Sequence, residues 1–92
     1  MDVDVRDIPG YGRFEVEIKP IGPDSYALGG IPTGTLFEGE GRNESGGGCG
    51  FGVWFKTSTH LVGLNGSVYD TRESLQGVRF YRFRRFTKMV LE

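Results

Sequence analysis

From Arg13 to Lys19, charged and apolar side chains alternate without a break, setting Phe14, Val16 and Ile18 against Arg13, Glu15, Glu17 and Lys19. A two-residue period puts one set on each face of a pleated strand, so the stretch reads as a half-buried strand that Pro20 closes. Shorter pieces repeat the theme. Turn chemistry at Ile21-Gly22-Pro23-Asp24 and at Gly29-Gly30-Ile31-Pro32-Thr33-Gly34 brackets a Tyr26-Ala27-Leu28 segment, and Thr35-Leu36-Phe37 starts a further strand. Gly39 to Gly50 reads as a polar, glycine-rich loop. In Phe51-Gly52-Val53-Trp54-Phe55-Lys56 the alternation resumes, placing Phe51, Val53 and Phe55 toward the core and leaving Trp54 and Lys56 on the other, exposed face.

Leu61-Val62-Gly63-Leu64 and Ser67-Val68-Tyr69 flank Asn65-Gly66, the dipeptide that most readily adopts the two positive φ angles of a type I′ turn, and predict a β-hairpin. Asp70 followed by Glu73, with Gly77 beyond, predicts one short helical turn over 71–76. From Val78 onward the β-branched and aromatic residues predict a last strand with a bulge near Arg82. A helix is the alternative there, since Phe80, Phe83, Phe86 and Val90 would share one stripe, but Gly77 and the density of aromatics favour the strand. Five or six short strands, at most one helical turn and 16 glycines imply an all-β chain, with residues 1–92 forming a single small domain whose antiparallel sheet curls or closes into a barrel.

The chain carries one cysteine, Cys49, and one histidine, His60, so neither an internal disulfide nor a zinc cluster is expected, and a reducing compartment is. No apolar run approaches the roughly 20 residues that span a bilayer, and Met1 to Asp7 is unlike a signal peptide; the expectation is a cytoplasmic protein without membrane contact. The glycine run Gly46-Gly47-Gly48-Cys49-Gly50 lacks the Gly-Lys-Ser/Thr ending and the following helix of a phosphate-binding loop. Ser58, His60 and Asp70 have the residue types of a nucleophilic triad but no spacing that implies one, and nothing beside Cys49 would lower its pKa. No catalytic residue, metal or cofactor is expected.

Charge is distributed unevenly. Residues 1–44 hold nine acidic side chains against four basic ones, a net of −5, and the remainder holds seven basic against three acidic, a net of +4. The positive half is concentrated in Arg79, Arg82, Arg84, Arg85 and Lys88, interleaved with Phe80, Tyr81, Phe83 and Phe86. Such a dipole steers association with a charged partner. The plainer alternative is that acidic and basic strands pair with each other across one sheet.

Gly50-Phe51-Gly52-Val53 is similar to the Gly-Phe-Gly core of the RNA-binding motif in RRM and cold-shock sheets, although Cys49 and Val53 stand where that motif has a basic and an aromatic residue. Across the central half, Gly30-Ile31-Pro32-Thr33-Gly34-Thr35-Leu36-Phe37, then Val53-Trp54-Phe55-Lys56-Thr57, then Leu61-Val62-Gly63-Leu64 together resemble small SH3-like β-barrel proteins encoded by bacteriophages. That resemblance implies an accessory protein without enzymatic activity, working in the host cytoplasm. The first reading is therefore a non-enzymatic binding module that docks on and modulates a host protein, using Trp54, Lys56, Arg79, Tyr81, Arg82, Arg84, Arg85 and Lys88. The alternatives are a nucleic-acid-binding barrel in which the tail cations meet phosphates, and a structural component that self-associates through an edge strand.

Overall fold

The computed structural model describes residues 3–17, 25–71 and 77–90. The chain is all-β. Eight strands, β1 (Val3–Ile8), β2 (Gly12–Glu17), β3 (Ser25–Ala27), β4 (Leu36–Arg42), β5 (Gly50–Lys56), β6 (His60–Gly63), β7 (Val68–Asp70) and β8 (Arg79–Met89), make one antiparallel sheet, with a 3-10 turn at Leu28–Gly30. The eight exceed the expected five or six, and β1 is a strand that the sequence reading left unassigned: Val3-Asp4-Val5-Arg6-Asp7-Ile8 pairs in unbroken register with β2. The turn expected at 21–24, the strand end at Ile18–Pro20 and the helical turn expected at 71–76, Thr71 apart, lie outside the described residues. Among the described residues no helix is long and apolar enough to cross a membrane.

The spatial order is β1-β2-β8-β4-β5-β6-β7, with β3 pairing β8 as well. β8 is thus the spine of the sheet. Residues 79–85 pair with β4, residues 79–81 also hold β3, and residues 86–89 hold β2. The predicted bulge is present: Glu38 faces Arg84 but Glu40 faces Tyr81, so three residues of β8 span two of β4, and Arg82 takes a φ of 55°. The extra residue explains why Phe80 and Phe83, three apart, both point into the core, and why the tail could be mistaken for a helical stripe.

The main core gathers Leu28, Ile31, Phe37, Trp54, Leu61, Val78, Phe80 and Phe83, with Tyr26, Cys49 and Tyr69 packed at its margin. Phe37 stacks on Phe83 at 4.8 Å and meets Phe80 edge-on at 5.1 Å. Room for these rings comes from glycine. β4 continues through Gly39 and Gly41 to Arg42, although the sequence reads there as a loop, because a Cβ at Gly41 would sit 2.4 Å from Cys49 Sγ and 3.0 Å from the Phe80 ring. The loop is confined to 43–49.

β5 is turned over relative to the expected facing. Trp54 is 2% exposed and Lys56 is buried, whereas Phe51 and Phe55 are exposed. A strand has only two faces, so the residue whose burial gains most sets the parity for the rest. Trp54 wins: its indole packs on Gly52 and Gly63 and its Nε1 donates to the Gly39 carbonyl at 3.1 Å. Lys56 follows it inward and is reconciled by donating from Nζ to the Thr57 carbonyl at 2.7 Å.

The hairpin at Asn65-Gly66 forms with a different turn. The Gly66 amide donates to the Gly63 carbonyl and the Gly63 amide to the Ser67 carbonyl, Gly66 has a φ of 96°, and Asn65 does not take a positive φ. This is a type I turn closed by a glycine bulge, which lengthens the loop to Leu64-Asn65-Gly66. Asn65 Oδ1 accepts the Ser67 amide at 3.0 Å.

Candidate interaction surface

The sheet has a second face, opposite the main core. Leu36, Glu38 and Glu40 of β4 point there, with Phe51, Val53 and Phe55 of β5 and Arg84 and Tyr81 of β8 as their cross-strand neighbours. The β1–β2 hairpin folds back over the middle of this face. Arg6 of β1 reaches Glu38, with Nε 3.4 Å from Oε2, while Arg84 places Nε and Nη2 at 2.8 and 2.7 Å from Oε1. Glu38 is buried between them. On one side of this clamp lies a wholly apolar recess of about 310 Å³, formed by Ile8, Tyr11, Phe14, Leu36, Phe55, Val62 and Leu64.

On the other side the surface is open. Phe51, Glu40 and Tyr81 form one row across β5, β4 and β8. Phe51 is 52% exposed. The Arg82 guanidinium lies 4.5 Å from the centre of the Phe51 ring and that of Arg42 4.2 Å from the Tyr81 ring. Each such contact is worth about 0.5–1 kcal/mol when solvent-exposed.

The tail residues proposed for contact have diverse roles. Arg84 is committed to Glu38; Lys88 pairs with Glu15 at 3.3 Å, directly across β2; and Arg85 lies 3.8 Å from Glu17 and over the rings of Phe83 and Tyr26. Arg79 donates to the Ser25 hydroxyl and carbonyl. The acidic first half and basic second half of the chain are therefore largely partnered with each other inside one sheet, and Asp7–Arg13 at 2.9 Å adds a further cross-strand pair. β8 lies mid-sheet, so its arginines do not guard an edge. Trp54 and Lys56, expected at the surface, are buried and leave the candidate set. Tyr81 and Arg82 stay in it, joined by Phe51 and Arg42. Phe51 lies in the Gly-Phe-Gly stretch but reads from the sequence as a core residue, and Arg42 was hidden by reading its strand as a loop.

His60 Nδ1 shares a 2.7 Å hydrogen bond with the Thr59 hydroxyl, and Nε2 lies 4.0 Å from Asp70 across the β6–β7 ladder. The hydroxyl at the ring is thus Thr59 and not Ser58. Among the described residues no group of three or more His, Cys, Asp and Glu converges as a metal site. Burial pushes the Cys49 thiol pKa up, which disfavours the thiolate. At pH 7.5, iodoacetamide is therefore expected to alkylate folded Cys49 more slowly than the same residue in urea, by mass spectrometry; equal rates would show an accessible, ordinary thiol.

Comparison with known protein families, curated proteins and solved structures finds no match to this chain.

Proposed function

We propose that the protein is a non-enzymatic binding module that docks on a protein partner through the arginine–aromatic surface of Arg42, Phe51, Tyr81 and Arg82. The observation that carries this reading is the backbone of Arg82. A non-glycine residue at a φ of 55° is held in the left-handed region, at a cost of roughly 1–2 kcal/mol, and such strain clusters at functional sites. Here it coincides with a guanidinium laid over an exposed phenylalanine. Arginine and tyrosine are residue types that anchor protein interfaces. Consistent with the resemblance to small phage-encoded barrels, the partner would be a host protein in the host cytoplasm and the chain an accessory factor that modulates it.

Single-stranded nucleic acid is the second reading, because Phe51 and Tyr81 could stack on bases. Two features favour protein. Glu40 lies between the two rings, where a phosphate would be repelled, and Arg84, Arg85 and Lys88 already face carboxylates.

Arg82→Gly separates function from stability. Glycine accepts this φ without strain, so the melting temperature is expected to stay within a few degrees of wild type or rise, while capture of the partner from host lysate falls about tenfold. Arg82→Lys keeps the charge but loses the planar stack and should also weaken capture. Undiminished capture by both variants would sink the reading. Capture that disappears on nuclease treatment, with a salt slope that falls by about 0.7 when Arg82 is replaced, would move it to nucleic acid.

A further inference from the structure

Among the described residues three strands pair on one side only. β3 and β7 are short, at three residues each, and β1 is long, regular and free of bulges over Val3–Ile8. Long regular edges invite pairing with another strand unless something blocks them. What blocks β1 is visible. The Ile8 carbonyl accepts the Tyr11 amide in the turn to β2, so the alternation of an antiparallel ladder directs Asp4, Arg6 and Ile8 toward β2 and turns the N–H and C=O groups of Val5 and Asp7 outward. The outward Val5 amide donates to Asp4 Oδ1 at 2.9 Å, and the outward Val5 carbonyl accepts from Arg6 Nη1 at 3.4 Å. Asp4 and Arg6 close the arrangement with a 2.5 Å ion pair. The Arg6 bond and the Val5 amide hold the Asp4 carboxyl below its ordinary range, so the pair is ionised at neutral pH.

These same groups are self-complementary about Val5. If a second chain lays its β1 antiparallel along this edge with Val5 opposite Val5, the two Val5 residues exchange both backbone hydrogen bonds. Asp4 of each chain then stands directly opposite Arg6 of the other, in a position where side chains approach most closely. Each ion pair within a strand becomes one between strands, and no backbone group is left unpaired. Arg6 keeps its reach to Glu38, which lies on the same face. Val5, 43% exposed, meets its own copy. The contact is isologous and closes as a two-fold dimer.

We propose that β1 is a homotypic pairing edge, on which a second copy of this chain docks antiparallel about Val5 by exchanging the Asp4–Arg6 ion pairs. The surface involved is small, so the dimer is weak and concentration-dependent. It is independent of the Arg82 surface, which lies on β4, β5 and β8.

Sedimentation equilibrium of the wild-type chain tests it. The apparent mass is expected to rise from 10.2 kDa toward twice that value with concentration, and Val5→Pro, which lacks the outward N–H, should remain monomeric. Register is tested by oxidation in a Cys49→Ala background. Val5→Cys lies on the two-fold axis at a Cα separation suited to a disulfide and should cross-link rapidly; Asp7→Cys, displaced from the axis, should not. Hydrogen exchange on the wild type needs no variant: protection of the Val5 amide should increase with chain concentration. A mass of 10.2 kDa at every concentration with unchanged Val5 exchange would leave Asp4 and Arg6 as a seal on the edge and overturn the proposal. A dimer that survives Val5→Pro, or cross-links equally at both positions, would overturn it as well.

Discussion

Trp54→Ala is expected to remove about 3–5 kcal/mol of stability, the range for deleting a large buried aromatic, and to be the most damaging single substitution in the main core. The indole is 2% exposed, meets Phe80 edge-on at 6.2 Å and lies 6.1 Å from Tyr69. Its Nε1 also donates to the Gly39 carbonyl at 3.1 Å, a bond that the substitution removes. A chain of 92 residues has roughly 5–14 kcal/mol to lose, so the variant should melt at least roughly 10 °C lower. The floor beneath the ring supplies a second arm. A Cβ on Gly63 would come within 2.8 Å of the indole Cζ3, so Gly63→Ala should destabilise the wild type but cost less in the Trp54→Ala background. Urea titration of the four-member cycle measures that coupling. Simple additivity would show that Gly63 is glycine for some reason other than the tryptophan.

That contact explains how the facing of β5 escaped the sequence. Counting apolar residues in Phe51–Lys56 favours the odd positions, three against one. What decides the facing is nonlocal: Gly52 and, from the next strand, Gly63 leave a slot that the tryptophan fills, and the Gly39 carbonyl of β4 accepts its indole N–H. No window of six residues contains that information. The Asn65-Gly66 hairpin and the Arg82 bulge were legible because each is encoded within a few neighbouring residues, although the turn took the three-residue form. β1 was legible in principle. Its alternation of valine with charge is as regular as that of β2, but a segment so acidic reads first as solvated chain. Its strand state is fixed by pairing with β2 and by Glu38, which is 30 or more residues away.

The tail illustrates the opposite risk, a conspicuous local pattern with a mostly internal use. Five basic residues amid aromatics look like a phosphate track, yet three of them face glutamates contributed by the first half of the chain. The proposed interaction surface rests instead on a position where the local rule is broken. Among the described residues Arg82 pairs with no carboxylate, and it holds a backbone conformation that a glycine would adopt more easily.

Glu38→Ala is expected to cost about 3 kcal/mol, the lower end of what removing one partner of a buried ion pair costs. The carboxylate side chain is 6% exposed, while Arg84 and Arg6 are 21% and 34% exposed, so solvent recovers part of the loss for the arginines. Lys88→Ala removes an ion pair too, but Lys88 is 69% exposed, and that substitution should cost under about 1 kcal/mol. The contrast between the two is the test of burial as the cause. Salt should sharpen it, because 1 M NaCl screens the exposed pair and leaves the enclosed one nearly intact. The Glu38 loss should also be conditional on its partners. In an Arg6→Met, Arg84→Met background no cation is stranded when Glu38 is removed, and Glu38→Leu there should be close to neutral or stabilising. Because Glu38 is the ion-pair partner through which β1 reaches β4, the amides of Arg6 and Ile8 should exchange faster in Glu38→Ala than global unfolding alone permits. Exchange there that follows global unfolding alone would mean that the apolar contacts of Ile8 and Val16 hold the hairpin, and that the ion cluster contributes only to overall stability.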